Sequence, residues 1–342
     1  MQLAWPTAEV KCIPLPSRSR SAHRLRQAWC LLRSAVGGTP AKIAFAHDRR
    51  LRRELLHDLT RIPPDLVIVN GSDLLWLLPL VPRRVRVFLI VHNIEHELYR
   101  SKIAAVVERW PRLTATLERD WRALRRFEWS SMRNVDGAIF LSDADRSSAL
   151  AACPALPSLV IPPVFDYQPN PRAPRTGEKL IVGMFADFTW WPNLTGLRWF
   201  LREVWPALDS HIELHLFGFG SSAVGAGIRR VHSYGFVEAQ REPFDRCDLM
   251  IAPIVSGAGI KVKVAEALHN GVPVIATPFA LRGLPINSDD AVHSADSPEQ
   301  WIRFLNSGDA RSLAQRRVSA GTASYSSPQR FAQALRGFHA GN

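Results

Sequence analysis

The segment Ile251 to Pro278 constrains the fold more than any other stretch of the chain. An apolar run, Leu249 to Ile254, stops at the small-residue turn Ser256-Gly257-Ala258-Gly259; a helical pattern follows, and a second β-rich run spans Val272 to Ala276. Short apolar runs bounded by turn residues read as strands, so the order is strand, glycine turn, helix, strand. Two glycines at alternate positions let the backbone come close to a ligand. The free N–H groups of the turn and of the first helical turn then favour an anion. On the helix, Lys263 and Glu266 stand i,i+3 and share a face near its N-terminus. A cation suits a phosphate and a carboxylate suits a diol, and a nucleoside diphosphate has both. The same spacing also fits a solvated ion pair on a helix whose other face, Val262, Val264, Ala265 and Leu268, enters the core.

These residues resemble the donor-nucleotide motif of retaining glycosyltransferases with the GT-B fold, in particular family four, the glycosyl transferases group 1. The resemblance implies that the turn Gly257, Ala258, Gly259 and Ile260 cradles a pyrophosphate. It further implies that Lys263 neutralises that group and that Glu266 holds the ribose hydroxyls. Many members carry an earlier glutamate, eight positions before the second, against the transferred sugar; here that position is Ala258. A subset of the family has a G-x-G-I-K-x-K version like this one. The implied architecture is two Rossmann-like α/β domains with parallel sheets facing across a cleft. The first, acceptor-side domain is expected at residues 1–165, with a C-terminal helix at 328–342 packing back onto it, and the donor domain at 166–327.

The chain is long enough for two such domains, with 342 residues, 46% of them hydrophobic and 22% charged, which excludes a disordered chain. Cys12, Cys30, Cys153 and Cys247 are scattered without metal-like spacing, which excludes a disulfide scaffold and suits a reducing compartment. The most apolar stretch, Leu74 to Val81, is too short to cross a bilayer and contains Pro79. A cytoplasmic protein, soluble or peripheral to the inner leaflet, is expected. The net charge of +12 sits in two places: residues 1–60 hold 11 Lys/Arg against 4 Asp/Glu, and residues 100–133 hold 9 against 4. A basic first half suits an anionic membrane surface, and equally a generic arginine-rich solvated surface. No zinc spacing, RNP-like strand or helix-turn-helix marks a specific nucleic-acid reader.

In chain order, Val10 to Leu15 reads as a short strand and Ser21 to Val36 as an amphipathic helix with Leu25, Ala28, Trp29, Leu32 and Val36 on one face. A basic helix follows from about Asp48, with Leu51, Leu55 and Leu59 inward. Asp65 to Asn70 and Val85 to Val91 read as buried parallel strands with a helical stretch between them. The second ends in His92-Asn93-Ile94-Glu95, polar residues where an α/β sheet opens its crevice. By resemblance His92 lines the donor sugar; on the residues alone it also fits a structural hydrogen-bonding group or a cap. A long helix, Arg112 to Met132, contains Glu128; the strand Asp136 to Leu141 and the cap Ser142-Asp143 follow. Phe165 to Glu178 reads as the linker. The second series runs through Leu180 to Phe185, a helix to Trp205, Ile212 to Phe217, and Val231 to Val237, where the resemblance places the nucleobase near Val237. Asn193 falls where many relatives set a basic residue against phosphate, and also fits an N-cap. The glycine-rich loop Gly218 to Gly227 is weak evidence of phosphate binding.

The family's first domain opens with a strand and a glycine-containing loop that have no counterpart before Val10. Either the chain begins downstream of the natural start or it is a degenerate relative. The expected activity is transfer of a hexose-type sugar from a nucleoside-diphosphate sugar to a glycan or lipid-linked acceptor in surface-polysaccharide synthesis. Configuration is retained by resemblance. Lys263 and the helix N-terminus supply the charge that stabilises the leaving diphosphate, so no metal and no cofactor beyond the donor substrate is expected. The alternatives are a non-catalytic nucleotide-sugar binding protein and, further off, a polyanion- or membrane-binding module.

Overall fold

Nearly unbroken apolar runs need cover on both faces, and in the second half of the chain they receive it. A computed structural model describes residues 12–13, 20–165, 177–284, 286, 291–319, 322, 326 and 328–329. Most of the expected strand at Val10 to Leu15, most of the linker and nearly all of the expected C-terminal helix lie outside the described residues. Among the described residues ten strands form two sheets: β1 (Leu66–Asn70), β2 (Arg86–Val91), β3 (Gly137–Phe140) and β4 (Ser158–Val160) in the first, and β5 (Leu180–Phe185), β6 (Ile212–Phe217), β7 (Val231–Gly235), β8 (Leu249–Ala252), β9 (Val274–Ala276) and β10 (Val292–Ser294) in the second. The helices are α1 (Arg20–Gly37), α2 (Ala41–Ala46), α3 (Arg49–Arg61), α4 (Glu95–Arg109), α5 (Thr114–Met132), α6 (Asp143–Ala152), α7 (Trp191–Trp199), α8 (Ser221–Gly225), α9 (Glu242–Arg246), α10 (Val262–His269), α11 (Pro278–Leu281), α12 (Pro298–Leu305) and α13 (Gly308–Gln315). Packing groups the chain into two units, one of 1–91, 95–138 and 149–157, the other of 92–94, 139–148 and 158–342.

The second sheet has the order β10-β9-β8-β5-β6-β7, every pair parallel. The chain lays β5, β6 and β7 outward in one direction, then returns to place β8 beside β5 and continues the other way. The reversal between β5 and β8 is a topological switch point, and ligands of such sheets bind beyond the carboxyl ends of the strands there. Leu180, Val182, Leu214 and Ile251 enter one core with Phe200, Trp205 and Trp301. Met250, Ala252 and Val274 enter another with Val264, Ala267 and Leu268 of α10.

The first sheet has the order β1-β2-β3-β4, with β1 and β2 parallel in the register Leu66↔Arg86. β2 alternates, with Val87, Leu89 and Val91 buried. β1 does not follow the expectation of a buried strand: Val69 is inside, but Leu66 and Ile68 are 44% and 56% exposed, because among the described residues β1 ends the sheet and only its other face is covered. The helix expected at Ser21 to Val36 is present as α1, yet its apolar stripe of Leu25, Trp29, Leu32 and Val36 points to solvent. Cys30 and Ser34 are the buried positions instead, and the Ser34 hydroxyl donates to Asp120 of α5. The stretch after β1 is helical but a 3₁₀ helix, Ser72–Leu80, consistent with Pro79 inside it. Asp48 caps α3 by accepting from Arg50 N and Leu51 N. Ser142 likewise caps the start of α6, accepting from Asp145 N at 3.2 Å and donating to Asp145 Oδ2 at 2.7 Å.

Candidate functional site

At the switch point, β8 ends in Ala252 and the chain does not become helical until Val262, so residues 253–261 form an open turn. Gly257 and Gly259 have φ of 118° and 68°, a region that side chains resist. At Gly259 the space is also taken: an added Cβ would lie 2.2 Å from the Asn93 side-chain amide and 2.8 Å from His92 O. The glycine is therefore required twice, for its dihedral and for the close approach of the 92–94 segment, which packs with this unit. Ile260 anchors the turn in the core at 6% exposure, and Ala258 is half-buried beside it. Ser256 Oγ is buried and, among the described residues, has no hydrogen-bond partner, which leaves a polar atom for a ligand to satisfy.

Two lysines follow. Lys261, just before α10, folds back so that its Nζ donates to Ala258 O at 3.0 Å and Gly259 O at 2.8 Å, and lies 4.8 Å from the Phe279 ring centroid. Burial, aided by the Arg282 charge and opposed by Asp145, pushes its pKa down to about 8. Lys263 leaves its ammonium half exposed, 2.7 Å from Glu266 Oε2 and 3.7 Å from the Phe185 ring centroid. Glu266 is 2% exposed. The pair is thus an ion pair with a buried carboxylate, rather than the fully solvated one that the spacing also allowed. A buried carboxylate next to a movable cation can exchange that cation for other donors when a ligand arrives.

Asn193 is not an N-cap. Trp190 holds that position without a side-chain bond, and Asn193 is the third residue of α7, its Nδ2 donating to Asp187 O at 2.9 Å. Pro192 at the second helical position favours that earlier start. A cavity of about 40 Å³ is lined by Asn193, Lys261 and Lys263 together with Phe185, Met250 and Val264. Close packing sets α7 against the exit of β8, since a Cβ on Gly196 would lie 2.3 Å from Pro253 O. Val237 follows β7 and is buried in the core.

His92 follows β2 and is exposed. Shortly after it α4 begins, where Glu128 accepts from Glu95 N at 2.9 Å and His96 N at 3.0 Å. The His96 ring completes the arrangement, with Nδ1 donating to Glu128 Oε2 at 2.7 Å. A carboxylate there satisfies open N–H groups and the positive end of the helix dipole. Beside it, burial raises the Glu95 pKa against the opposing effect of Lys42.

Of the residues expected at the site, the structure gathers Gly257, Ala258, Gly259, Ile260, Lys263, Glu266 and Asn193 at the switch point and brings the His92 backbone against Gly259. Val237 lies after a different strand, at the end of the β6-β7 side. Sequence reasoning does not reach Ser256 and Lys261. The signal for Lys261 is its place directly after the second glycine and Ile260, where a cation has the same reach to an anion as Lys263.

Glycosyl transferases group 1 is the family that matches, over residues 179–307. No curated protein matches the chain. Among solved structures, Anabaena Alr3699/HepE, determined with UDP and glucose, is similar with a TM-score of 0.55 at 16% identity over 84% of this chain and 81% of that one. A point mutant of S. aureus TarM, determined with fondaparinux, alpha-GlcNAc-glycerol and UDP, gives 0.60 at 13% identity over 83% of this chain and 57% of its own, longer chain. Sucrose-phosphate synthase from Thermosynechococcus elongatus gives 0.57 at 13% identity over 86% and 78%. Residues 179–307 thus match glycosyl transferases group 1, and the chain has the two-domain, Rossmann-like GT-B fold.

Proposed function

We propose that the protein transfers a sugar from a nucleoside-diphosphate sugar, with the turn 256–260, Lys261, Lys263 and Glu266 as its donor site. The observation that carries this reading is the positive-φ glycine turn at the switch point, with two lysines and one buried carboxylate beside it. Backbone N–H groups and Lys263 receive the diphosphate, and Glu266, released from Lys263, accepts from the ribose hydroxyls. As the glycosidic bond to the diphosphate breaks, negative charge grows on the leaving oxygens. Lys263, once seated on the diphosphate, and the N–H dipoles of the turn then stabilise it, so the donor site itself requires no metal. Uridine diphosphate is the favoured nucleotide because Anabaena Alr3699/HepE and S. aureus TarM have both been crystallised with UDP. The transferred group is a hexose-type sugar with retained configuration, and the acceptor a glycan or lipid-linked glycan of a surface polysaccharide.

Peripheral contact with the anionic inner leaflet is part of the same reading. In the first unit a cavity of about 1520 Å³ is lined by Arg83, Arg122, Arg125, Arg126 and Arg133, with Asp136 as the one lining carboxylate among the described residues. Among those residues, too, no helix is long and apolar enough to cross a membrane. The decisive experiment is calorimetric titration of UDP, GDP and ADP into the wild type and Lys263→Ala. Selective UDP binding, weakened about tenfold to a hundredfold in the variant, is expected for a charge-assisted phosphate contact. No binding of any nucleotide to folded protein would overturn the donor site.

Ala258, standing where many relatives have an acid, favours one second reading: a protein that binds the nucleotide sugar without transferring it. Binding of UDP-sugars with no release of UDP in the presence of glycan acceptors would select it.

A further inference from the structure

Away from the switch point, the second sheet brings three metal-ligating side chains together. Glu213 and His215 alternate along β6 and so project from one face, and His232 on β7 is the Cα partner of His215. Glu213 Oε2 lies 3.7 Å from His215 Nε2 and 3.6 Å from His232 Nε2, and the three ligand atoms are all within 4.8 Å of one another. We propose that Glu213, His215 and His232 bind a zinc-class divalent transition-metal ion, at a site separate from the donor crevice.

Three features of the surroundings support this. Tyr234 OH is 3.2 Å from His215 Nδ1, which fixes that ring and leaves Nε2 facing the carboxylate; an outer partner on the non-ligating nitrogen is the usual arrangement at metal-bound histidines. Lys179 Nζ holds the other carboxylate oxygen, Oε1, at 2.5 Å, so Oε2 is turned toward the two imidazoles. Finally, His232 is half exposed while His215 is buried, so the site has an entry path from solvent. Metal–ligand bonds of about 2.0–2.2 Å set neighbouring ligand atoms about 3.3 Å apart in a tetrahedral site, so the two carboxylate–imidazole separations need to close by only a few tenths of an ångström. Two imidazoles and one carboxylate select zinc, copper, nickel or cobalt over magnesium or calcium.

Glu213 and His232 stand second in β6 and β7 and His215 stands mid-strand in β6, so the site lies short of the carboxyl ends of the strands, where the donor turn is carried. Its effect is therefore structural: a metal ties edge strand β7 to β6 by side chains where otherwise only the backbone ladder holds it. The competing occupant is a proton, since one protonated imidazole also satisfies Glu213 Oε2.

The test is titration of ZnCl₂ into tag-free, chelator-stripped full-length protein near neutral pH, with Co²⁺ in place of Zn²⁺ to read the visible d–d band of a low-symmetry site. The variants are His232→Ala and Glu213→Gln, with His57→Ala, an exposed histidine of α3, as control, all checked for fold by circular dichroism. One equivalent of Zn²⁺ is expected to bind and raise the melting temperature. Affinity should fall by about tenfold to a hundredfold in His232→Ala and in Glu213→Gln and stay unchanged in His57→Ala. No stoichiometric uptake by the wild type, or equal uptake by the two site variants, overturns the proposal. UDP titration of the same samples keeps it apart from the donor site, because metal uptake is read with or without nucleotide binding.

Discussion

The two sheets are built from similar-looking apolar runs and end in different states. LMIA of β8 is buried at every position, whereas LVIVN of β1 leaves Leu66 and Ile68 in solvent. The difference is in neighbours rather than in residues. β8 sits between β5 and β9 with helices over both faces, while β1, among the described residues, has one strand beside it and cover on one face. A parallel strand becomes core only when the elements around it are present, so the second unit is the rigid platform on which the donor turn is held.

The comparison breaks most sharply on core truncation. Trp301 is fully buried, packs edge-on against Phe200 at 5.5 Å between ring centroids, and donates to Ala295 O at 2.9 Å. Trp301→Ala should cost about 3–5 kcal/mol in denaturant unfolding, and Ile68→Ala, at 56% exposure, under about 1 kcal/mol. Similar costs at both positions would mean that Ile68 on β1 is as covered as the core of the second unit.

Next in size are two glycines that share a positive φ and differ in surroundings. A Cβ added to Gly259 meets Asn93 and His92, whereas one added to Gly38 in the first unit meets no described atom within 4 Å. Gly259→Val should weaken UDP binding by about a hundredfold, from strain and overpacking of roughly 3 kcal/mol. Gly38→Ala should cost only the dihedral, about 1 kcal/mol of stability, with nucleotide affinity unchanged. An intact affinity in Gly259→Val would remove the turn from the donor site.

A smaller effect follows from Lys261, whose pKa is pushed down to about 8 from 10.5. Between those values the unfolded chain keeps a proton that the folded chain has released, so folding stability from this group rises with pH through that window. Diphosphate binding runs the other way. It needs the charged lysine, so Kd should rise severalfold as pH passes about 8, and Lys261→Arg should abolish that dependence. A wild-type Kd that is flat from pH 7 to about 9.5 would show that Lys261 does not face the phosphates.

The parts of the molecule legible in the sequence are those fixed by local pattern. Runs such as Leu180 to Phe185 and Ile212 to Phe217 announce strands, and the two glycines before Lys263 announce a turn at a crevice. What cannot be read there is set by partners far away in the chain. The stripe of Leu25, Trp29, Leu32 and Val36 is visible, but only tertiary packing decides that Cys30 and Ser34 face inward instead. Asn193 does stand near the crevice, but the preceding Pro192 has already begun the helix, so no cap forms there. Glu213 and His215 show their shared face by i,i+2 spacing, yet His232 joins them only through the register of β6 and β7, which no single segment encodes.

The smallest effect on stability belongs to Ile68→Lys, and it bears most directly on β1, the edge of the first sheet among the described residues. A lysine at a position already 56% exposed removes little buried area and should shift unfolding by no more than about 0.5 kcal/mol. Its consequence is in association. Among the described residues β1 is an edge strand that presents Leu66 and Ile68; such a strand is a template for another strand, and a charge there is the common way proteins block such pairing. Sedimentation velocity over a range of concentrations should therefore show self-association in the wild type that Ile68→Lys reduces, while Leu56→Lys on α3, also partly exposed at 37%, leaves it unchanged. If the wild type is monomeric at every concentration, or if both variants behave alike, the exposed face of β1 is inert, and the contrast between the sheets is one of burial alone.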